Sequence, residues 1–233
     1  MSELYTRSYD DGLRKYISSI FSIMGLGLVI TAATSYYCFM NILSGGLVFK
    51  FLVNVPMASL IILFVQLGVV IFLTSRINHI SAANARVLFL LYCVITGITF
   101  GTLPLLYGIA NIFMAFIFAA VMFGCCAVIG YTTKVDMTRF SGLLIGGLFS
   151  LVIMSVIGLL FRWSMDSMFI CMFGIVIFLG LTAYDMQMIK RNYYMIYDNE
   201  MAKKYRVISA LNLYLDFINI FLYVLRFLGK RNK

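Results

Sequence analysis

The stretch IANIFMAFIFAAVMFGCCAVIGY, residues Ile109 to Tyr131, contains no charged side chain. As an α-helix it would rise about 35 Å, which is enough to cross the roughly 30 Å hydrocarbon core of a bilayer. For a single run of this kind, a core helix of a soluble protein is the alternative. The rest of the chain favours the membrane, because runs of the same character follow one another along nearly its whole length.

Seven apolar runs are long enough to span a membrane. Their approximate limits are Tyr16 to Leu43, Pro56 to Ser75, Ala85 to Tyr107, Ile109 to Tyr131, Phe140 to Leu160, Ser167 to Ile189 and Val207 to Leu228. Of the 233 residues, 63% are hydrophobic and 12% are charged, whereas soluble domains have about 45 to 50% and about 25%. We therefore predict an all-α integral membrane protein with seven transmembrane helices, in which Pro104 kinks or ends the third.

These runs leave little chain for a soluble domain. We divide the sequence into a cytoplasmic N-terminal segment (residues 1–15), a seven-helix membrane domain (16–228) and a basic C-terminal tail (229–233). Lysine and arginine residues predict the orientation, because they concentrate in cytoplasmic loops. With the N-terminus in the cytoplasm, twelve of the 18 lie in internal segments and six on the opposite side. The loops favour this topology, and the basic tail opposes it.

Two aspartates, Asp185 and Asp216, are the acidic residues that lie inside these apolar runs. A charge in a membrane helix costs about 2.5 to 3.5 kcal/mol on insertion scales, so it normally faces a cavity or a partner. In the predicted topology both lie in the cytoplasmic half of the membrane. Along the helix axes, Asp185 is about 7.5 Å from Lys190 and Asp216 is about 15 Å from Arg206. Adjacent antiparallel helices would let the two carboxyl groups meet and share a proton near neutral pH. The alternative is that each caps or hydrogen-bonds a neighbouring helix.

Further polar residues extend this candidate site. Asn212, Asp216 and Asn219 fall at positions i, i+4 and i+7, which predicts one polar stripe on a helix inside the bundle. Arg76 closes the second run at the membrane level of Asp185, and we predict that it is the counter-ion. An ordinary anchor at the cytoplasmic surface is the alternative for this arginine.

Other features indicate membrane packing rather than chemistry. Gly142 and Gly146 are four residues apart, which predicts close packing between helices. The five cysteines form no Cys-x-x-Cys pair and the methionines form no stripe, so we expect no cofactor. The net charge of +9 is spread over loop ends, which favours membrane topology over binding to nucleic acid.

Two segments carry a family resemblance, Tyr184-Asp185-Met186-Gln187-Met188-Ile189 and Ala210-Leu211-Asn212-Leu213-Tyr214-Leu215-Asp216-Phe217-Ile218-Asn219. A third is Arg76-Ile77-Asn78, followed by the run from Ala85 to Tyr92. With the seven-span layout, they resemble the Bax inhibitor-1 family, the transmembrane BAX inhibitor motif proteins, in its bacterial YccA-like branch. The resemblance covers nearly the whole chain. It implies a last helix surrounded by the other six, in the bacterial inner (plasma) membrane.

The resemblance also implies a function, a pH-sensitive calcium leak controlled by a pair of aspartates. Asp185 and Asp216 match that pair, and Arg76 matches its basic partner. Calcium prefers oxygen ligands, so the two carboxylates would contact the ion transiently as it passes. Gln66 stands where some members have a glutamate, which argues against a latch that depends on a charge at this position.

Two other functions compete with a calcium leak. Intramembrane aspartyl proteases also have a Tyr-Asp pair such as Tyr184-Asp185, but their second acid follows Gly-x-Gly and a Pro-Ala-Leu motif comes later. Neither motif surrounds or follows Asp216, so we expect no enzyme. The second alternative is a non-conducting regulator, since family members have been linked to control of a membrane-bound protease and of cell death. The polar segment from Met1 to Lys15 would then contact the membrane protease or another membrane partner.

Overall fold

The structure is a computed structural model that describes residues 2–47, 58–161, 167–195 and 199–229. Within these ranges the chain is helical, and no strand occurs. The helices are α1 (Ser2–Leu43), α2 (Ala58–Arg76), α3 (Ala82–Phe100), α4 (Leu103–Tyr107), α5 (Ile109–Thr132), α6 (Ser141–Phe161), α7 (Met168–Met195) and α8 (Asn199–Leu228). A 3₁₀ turn, Met137–Phe140, precedes α6. The all-α fold class is thus confirmed for the described part of the chain.

Local sequence signals explain where the helices break. Pro104 has no N–H with which to continue the helical hydrogen bonding, and α3 ends four residues earlier, at Phe100. Gly108, with φ of 77°, separates α4 from α5 in a conformation that glycine adopts readily. Ser81 is the N-cap of α3, and its hydroxyl accepts a hydrogen bond from the N–H of Asn84 at 3.2 Å. The predicted break at Pro104 is therefore confirmed.

Six segments of the described chain are long and apolar enough to cross a membrane. They are Asp11–Leu43, Ala82–Tyr107, Ile109–Thr132, Met137–Gly158, Met168–Tyr193 and Glu200–Leu228. A shorter apolar helix, Leu60–Arg76, corresponds to the predicted second span, whose start at residues 56 and 57 lies outside the described ranges. The chain therefore has six to seven membrane helices, and the count of seven stays a prediction.

The chain divides into two compact units, of which the first contains residues 1–102 and 189–214. It comprises α1, α2, α3, the end of α7 and the first half of α8. Within it, α3 packs against α1 and α2. Gly27 permits the close approach of α1, because a Cβ there would lie 2.6 Å from Cζ of Phe89 and 2.9 Å from Sγ of Cys93.

The second unit contains residues 103–188 and 215–233, that is, α4, α5, α6, most of α7 and the second half of α8. The predicted close packing at Gly142 and Gly146 is wrong, since a Cβ at either position would meet nothing within 4 Å. The neighbouring Gly147 does meet α7, since a Cβ there would lie 2.5 Å from Ile177. A one-residue difference turns a glycine by about 100° around the helix, so the spacing of the pair did not identify the contact face.

Burial differs sharply between the membrane helices. In α8, 72% of the apolar window is buried within the described structure, against 17 to 44% for the other five spans. Large apolar side chains such as Val29, Phe149 and Phe169 are exposed on the other helices, as expected where lipid rather than water is the solvent. The extensive burial of α8 agrees with the predicted interior helix, and its central place among six others stays a prediction.

Candidate functional site

Two helices of the second unit carry the predicted aspartates. Asp185 lies on α7 and is half-buried, and Asp216 lies in the middle of α8 and is 4% exposed. The two carboxyl groups lie close enough to interact electrostatically. Two apolar helices therefore bring together a pair of acidic groups that the sequence separates by thirty residues.

Asp216 has fewer hydrogen-bond partners than a buried carboxyl normally finds. Its Oδ2 atom is buried and has no partner. The hydroxyl of the fully buried Thr182, one turn before Asp185, interacts with Asp216 and donates to the carbonyl of Phe178 at 2.8 Å. A hydroxyl has a single hydrogen. The Thr182 hydroxyl therefore has one hydrogen for two acceptors, the carbonyl of Phe178 and the carboxyl group of Asp216.

Aromatic side chains surround the next residue of α8. Phe217 is 4% exposed, and its ring meets Phe116 and Phe123 of α5 edge to face, with centroids 5.4 and 5.6 Å apart. Such packing excludes water from this side of the helix. The environment beside Asp216 is therefore of low polarity, which strengthens every electrostatic interaction of its carboxyl group.

Two residues to which the sequence analysis gave no role hold α7 in place beside this site. Gly130 of α5 meets the backbone of α7, where an added Cβ would lie 2.7 Å from Cα of Ala183. Gln187 holds the loop before the 3₁₀ turn, since its Nε2 donates to the carbonyl of Val135 at 2.6 Å and its Oε1 accepts from the N–H of Met137 at 2.9 Å. Both contacts lie within two residues of Asp185, and so they fix the height and rotation of its helix.

The asparagines of the predicted stripe are less buried than the aspartate between them. Asn219, in the second unit, is half-buried, and its amide donates to the carbonyl of Leu215 in its own helix at 2.7 Å. Asn212 is half-buried in the first unit. The stripe is therefore half-buried at its two ends and nearly fully buried at Asp216, and its part in an ion pathway stays a prediction.

The predicted basic partner and the second-helix glutamine both belong to the first unit. Arg76 is the last residue of α2 and its side chain is exposed. Its predicted role as counter-ion stays a prediction. Gln66 is half-buried, and its Nε2 donates to the hydroxyl of Thr96 on α3 at 3.2 Å. This amide therefore bonds a neighbouring helix, which explains how a polar residue is accommodated in α2.

A buried polar contact that the sequence did not reveal fixes the first half of α8. The hydroxyl of Tyr214 lies 2.7 Å from that of Thr31 on α1. The Thr31 hydroxyl also reaches the carbonyls of Gly27 at 3.0 Å and Cys93 at 3.1 Å. Either hydroxyl can donate in this bond, and the bond ties the first half of α8 to α1.

Comparisons with known proteins identify the family of this chain. The family model described as "Inhibitor of apoptosis-promoting Bax1" matches residues 13–233. An uncharacterized protein of Borreliella burgdorferi is 37% identical over 218 residues, which cover 93% of this chain and 92% of that protein. The inner membrane protein YbhL of Escherichia coli K12 is 33% identical over 222 residues, with 94% and 93% covered. An uncharacterized protein of Rickettsia prowazekii is 32% identical over 225 residues, with 97% and 93% covered. The chain therefore belongs to the Bax inhibitor-1 family, as its two aspartate segments predicted.

Proposed function

We propose that this membrane protein is a pH-sensitive cation leak that prefers calcium, in which the protonation of the pair Asp185 and Asp216 determines whether α8 blocks the path. The observation that carries the proposal is the pairing of the two carboxyl groups inside apolar helices of the second unit. Acidic residues in membrane helices are expensive and usually serve ion or proton pathways.

Electrostatics explains why such a pair would respond to pH. Two carboxylates about 4 Å apart repel by about 4 kcal/mol at an effective dielectric constant of about 20. A single proton shared between them removes this repulsion, so the pair titrates as one unit. Each change in its protonation alters the force between α7 and α8, which are the helices that carry the two groups. This is the physical link between pH and the position of α8.

The same two groups suit a passing cation. Calcium takes six to eight oxygen ligands in sites that hold it, and two carboxylates supply four oxygens at most. A calcium ion at this point would keep part of its water shell, so it would bind weakly and leave again. Weak, transient contact is what conduction requires.

Calcium flux into proteoliposomes loaded with a calcium-sensitive dye tests the proposal. Asp185→Asn and Asp216→Asn keep the shape of each side chain and remove its charge. We expect the wild-type flux to change between acidic and alkaline pH, and each asparagine variant to show a flatter dependence on pH. Asp11→Asn is the matched control, because this acid is exposed near the N-terminus, and its pH profile should equal that of the wild type. The proposal would be wrong if, at every pH tested, the calcium flux of the wild type were no greater than that of empty vesicles.

A second candidate is a non-conducting regulator that binds a membrane protease or another membrane partner. The observation that favours it is that α1 begins at Ser2, so the backbone of the polar N-terminal segment continues the first membrane helix. Residues 2–10 extend about 14 Å before the apolar span that starts at Asp11. Deleting residues 2–10 should then abolish regulation of the partner and leave any calcium flux unchanged. Both candidate functions are consistent with the prediction that the protein is not an enzyme.

A further inference from the structure

Three helices of the first unit bring Tyr16, Tyr193 and Arg206 together, and we name these residues the Arg206 cluster. The rings of Tyr16 on α1 and Tyr193 on α7 have centroids 5.3 Å apart. Cζ of Arg206 on α8 lies 5.4 Å from the centroid of the Tyr16 ring, over its face. Gly12 makes room for this arrangement, because a Cβ there would collide with the hydroxyl of Tyr193. An arginine and two phenols thus form one site on three helices.

Two donors of the Arg206 cluster are buried without a hydrogen-bond partner, the hydroxyl of Tyr16 and Nε of Arg206. A phenol and a guanidinium both donate, and leaving a buried donor unpaired is unfavourable. Among the side chains that the structure describes, Lys203 and Glu200 form an ion pair. Arg206 forms none with any carboxylate in this part of the chain. Arg206 is only half-buried, and part of its side chain stays accessible. The site therefore offers hydrogen-bond donors and a positive charge to an acceptor from outside the chain.

The surroundings of the Arg206 cluster are strongly basic. The same helix ends carry Arg14, Lys15, Lys190, Arg191, Lys203 and Lys204. The exposed acids described at these ends are Asp11 and Glu200, and the latter already pairs with Lys203. The excess of positive charge would raise the local concentration of anions.

The position along the helices indicates which anion would be available. Tyr193 is the last residue of the apolar span in α7. Tyr16 lies five residues after the start of the span in α1, and Arg206 lies six residues after the start of the span in α8. This places the cluster near the edge of the hydrocarbon core, about 15 Å from the bilayer centre. Tyrosines and basic side chains that bind headgroups concentrate at that depth.

We propose that the Arg206 cluster binds the phosphate of an anionic phospholipid headgroup. The phosphate oxygens accept charge-assisted hydrogen bonds from the guanidinium of Arg206 and, once the side chains rotate toward the ligand, a further bond from the hydroxyl of Tyr16. The basic residues around the site favour a headgroup with net negative charge over a zwitterionic one. The acyl chains then lie along the exposed apolar surface of the helices.

Thermal unfolding of the full chain in detergent, titrated with phosphatidylglycerol and with phosphatidylcholine, tests the proposal. We expect phosphatidylglycerol to raise the unfolding temperature more than phosphatidylcholine does. Arg206→Gln should weaken the apparent affinity for phosphatidylglycerol about tenfold, the effect of one charge-assisted hydrogen bond. Tyr16→Phe removes only the hydroxyl and should weaken it about threefold, the size of a modest neutral hydrogen bond. Arg86→Gln is the matched control, since it removes an exposed charge at the start of α3, and it should leave the affinity nearly unchanged.

Three results would overturn the proposal. If Arg86→Gln weakens binding as much as Arg206→Gln does, lipid is attracted by the general positive charge and not by a built site. If inorganic phosphate stabilises the wild type as strongly as phosphatidylglycerol does, the site takes a free anion. Should Arg206→Gln fail to fold, Tyr16→Phe decides, because an unchanged affinity in that variant also contradicts the proposed site.

Discussion

Replacing Gly130 by alanine perturbs the contact that positions Asp185. Gly130 is buried in α5, and a Cβ there would lie 2.7 Å from Cα and 2.9 Å from the carbonyl carbon of Ala183, two residues before Asp185. Non-bonded carbon atoms pack at about 3.5 to 4.0 Å. Because the atoms in contact belong to the backbone, no side-chain rotation relieves the clash, and α5 and α7 must separate by about 1 Å. Overpacking of this kind destabilises proteins by about 1 to 3 kcal/mol.

Gly124→Ala is the matched control, since a Cβ at Gly124 of the same helix meets nothing within 4 Å. Both alanines gain the same helix propensity, about 0.5 to 1 kcal/mol, so the difference between the two variants isolates the contact. At about 2 to 4 °C per kcal/mol for a chain of this size, Gly130→Ala should unfold about 2 to 12 °C below Gly124→Ala. Circular dichroism of the detergent-solubilised proteins measures both midpoints. Equal midpoints would refute the reasoning, because they would mean that α5 and α7 are not in backbone contact.

Three further substitutions test contacts around the two halves of α8 and the end of α7. Tyr214→Phe should destabilise the protein by about 0.5 to 1.5 kcal/mol, and the loss should shrink in a Thr31→Val background, as a double-mutant cycle of unfolding midpoints would reveal. Gln187→Leu releases the loop that precedes the 3₁₀ turn, so trypsin should cleave after the exposed Lys134 faster than in the wild type; an unchanged rate would contradict the anchoring role. Thr182→Val removes a fully buried hydroxyl without changing the shape of the side chain, and it should flatten the pH dependence of calcium flux, whereas Thr182→Ser should preserve it.

The sequence predicted those features that depend on local rules. An apolar run of sufficient length is a membrane helix whatever its neighbours are, and a proline removes a backbone donor wherever it stands, as at Pro104. The aspartates were found in the same way, since the free energy of burying a charge depends on the apolar run that contains it. These predictions required no knowledge of which helices touch.

Features that depend on the register between helices could not be predicted. The pair Gly142 and Gly146 looked like a contact face, yet Gly130 and Gly147 meet α7 instead. Nothing in the spacing of glycines says which partner helix approaches or at what height. Gln187 was hidden for the same reason, because its partners Val135 and Met137 are loop backbone that any sequence supplies. Only the packed structure brings such groups within hydrogen-bonding distance.

The arrangement around Asp216 differs from that of a carboxyl group with a purely structural role. A carboxyl group that serves to cap a helix lies at its end, whereas Asp216 lies in the middle of α8. A carboxyl group that joins two helices has its oxygens paired, since buried polar groups nearly always find partners, whereas Oδ2 of Asp216 has none and the nearby Thr182 already donates to Phe178. Part of the free energy lost by burying this acid beside Asp185 is therefore not recovered, because Oδ2 has no hydrogen-bond partner. Local violations of this kind are expected where function needs the residue more than stability does, and here the unpaired oxygen belongs to one of the two acids that the sequence alone had indicated.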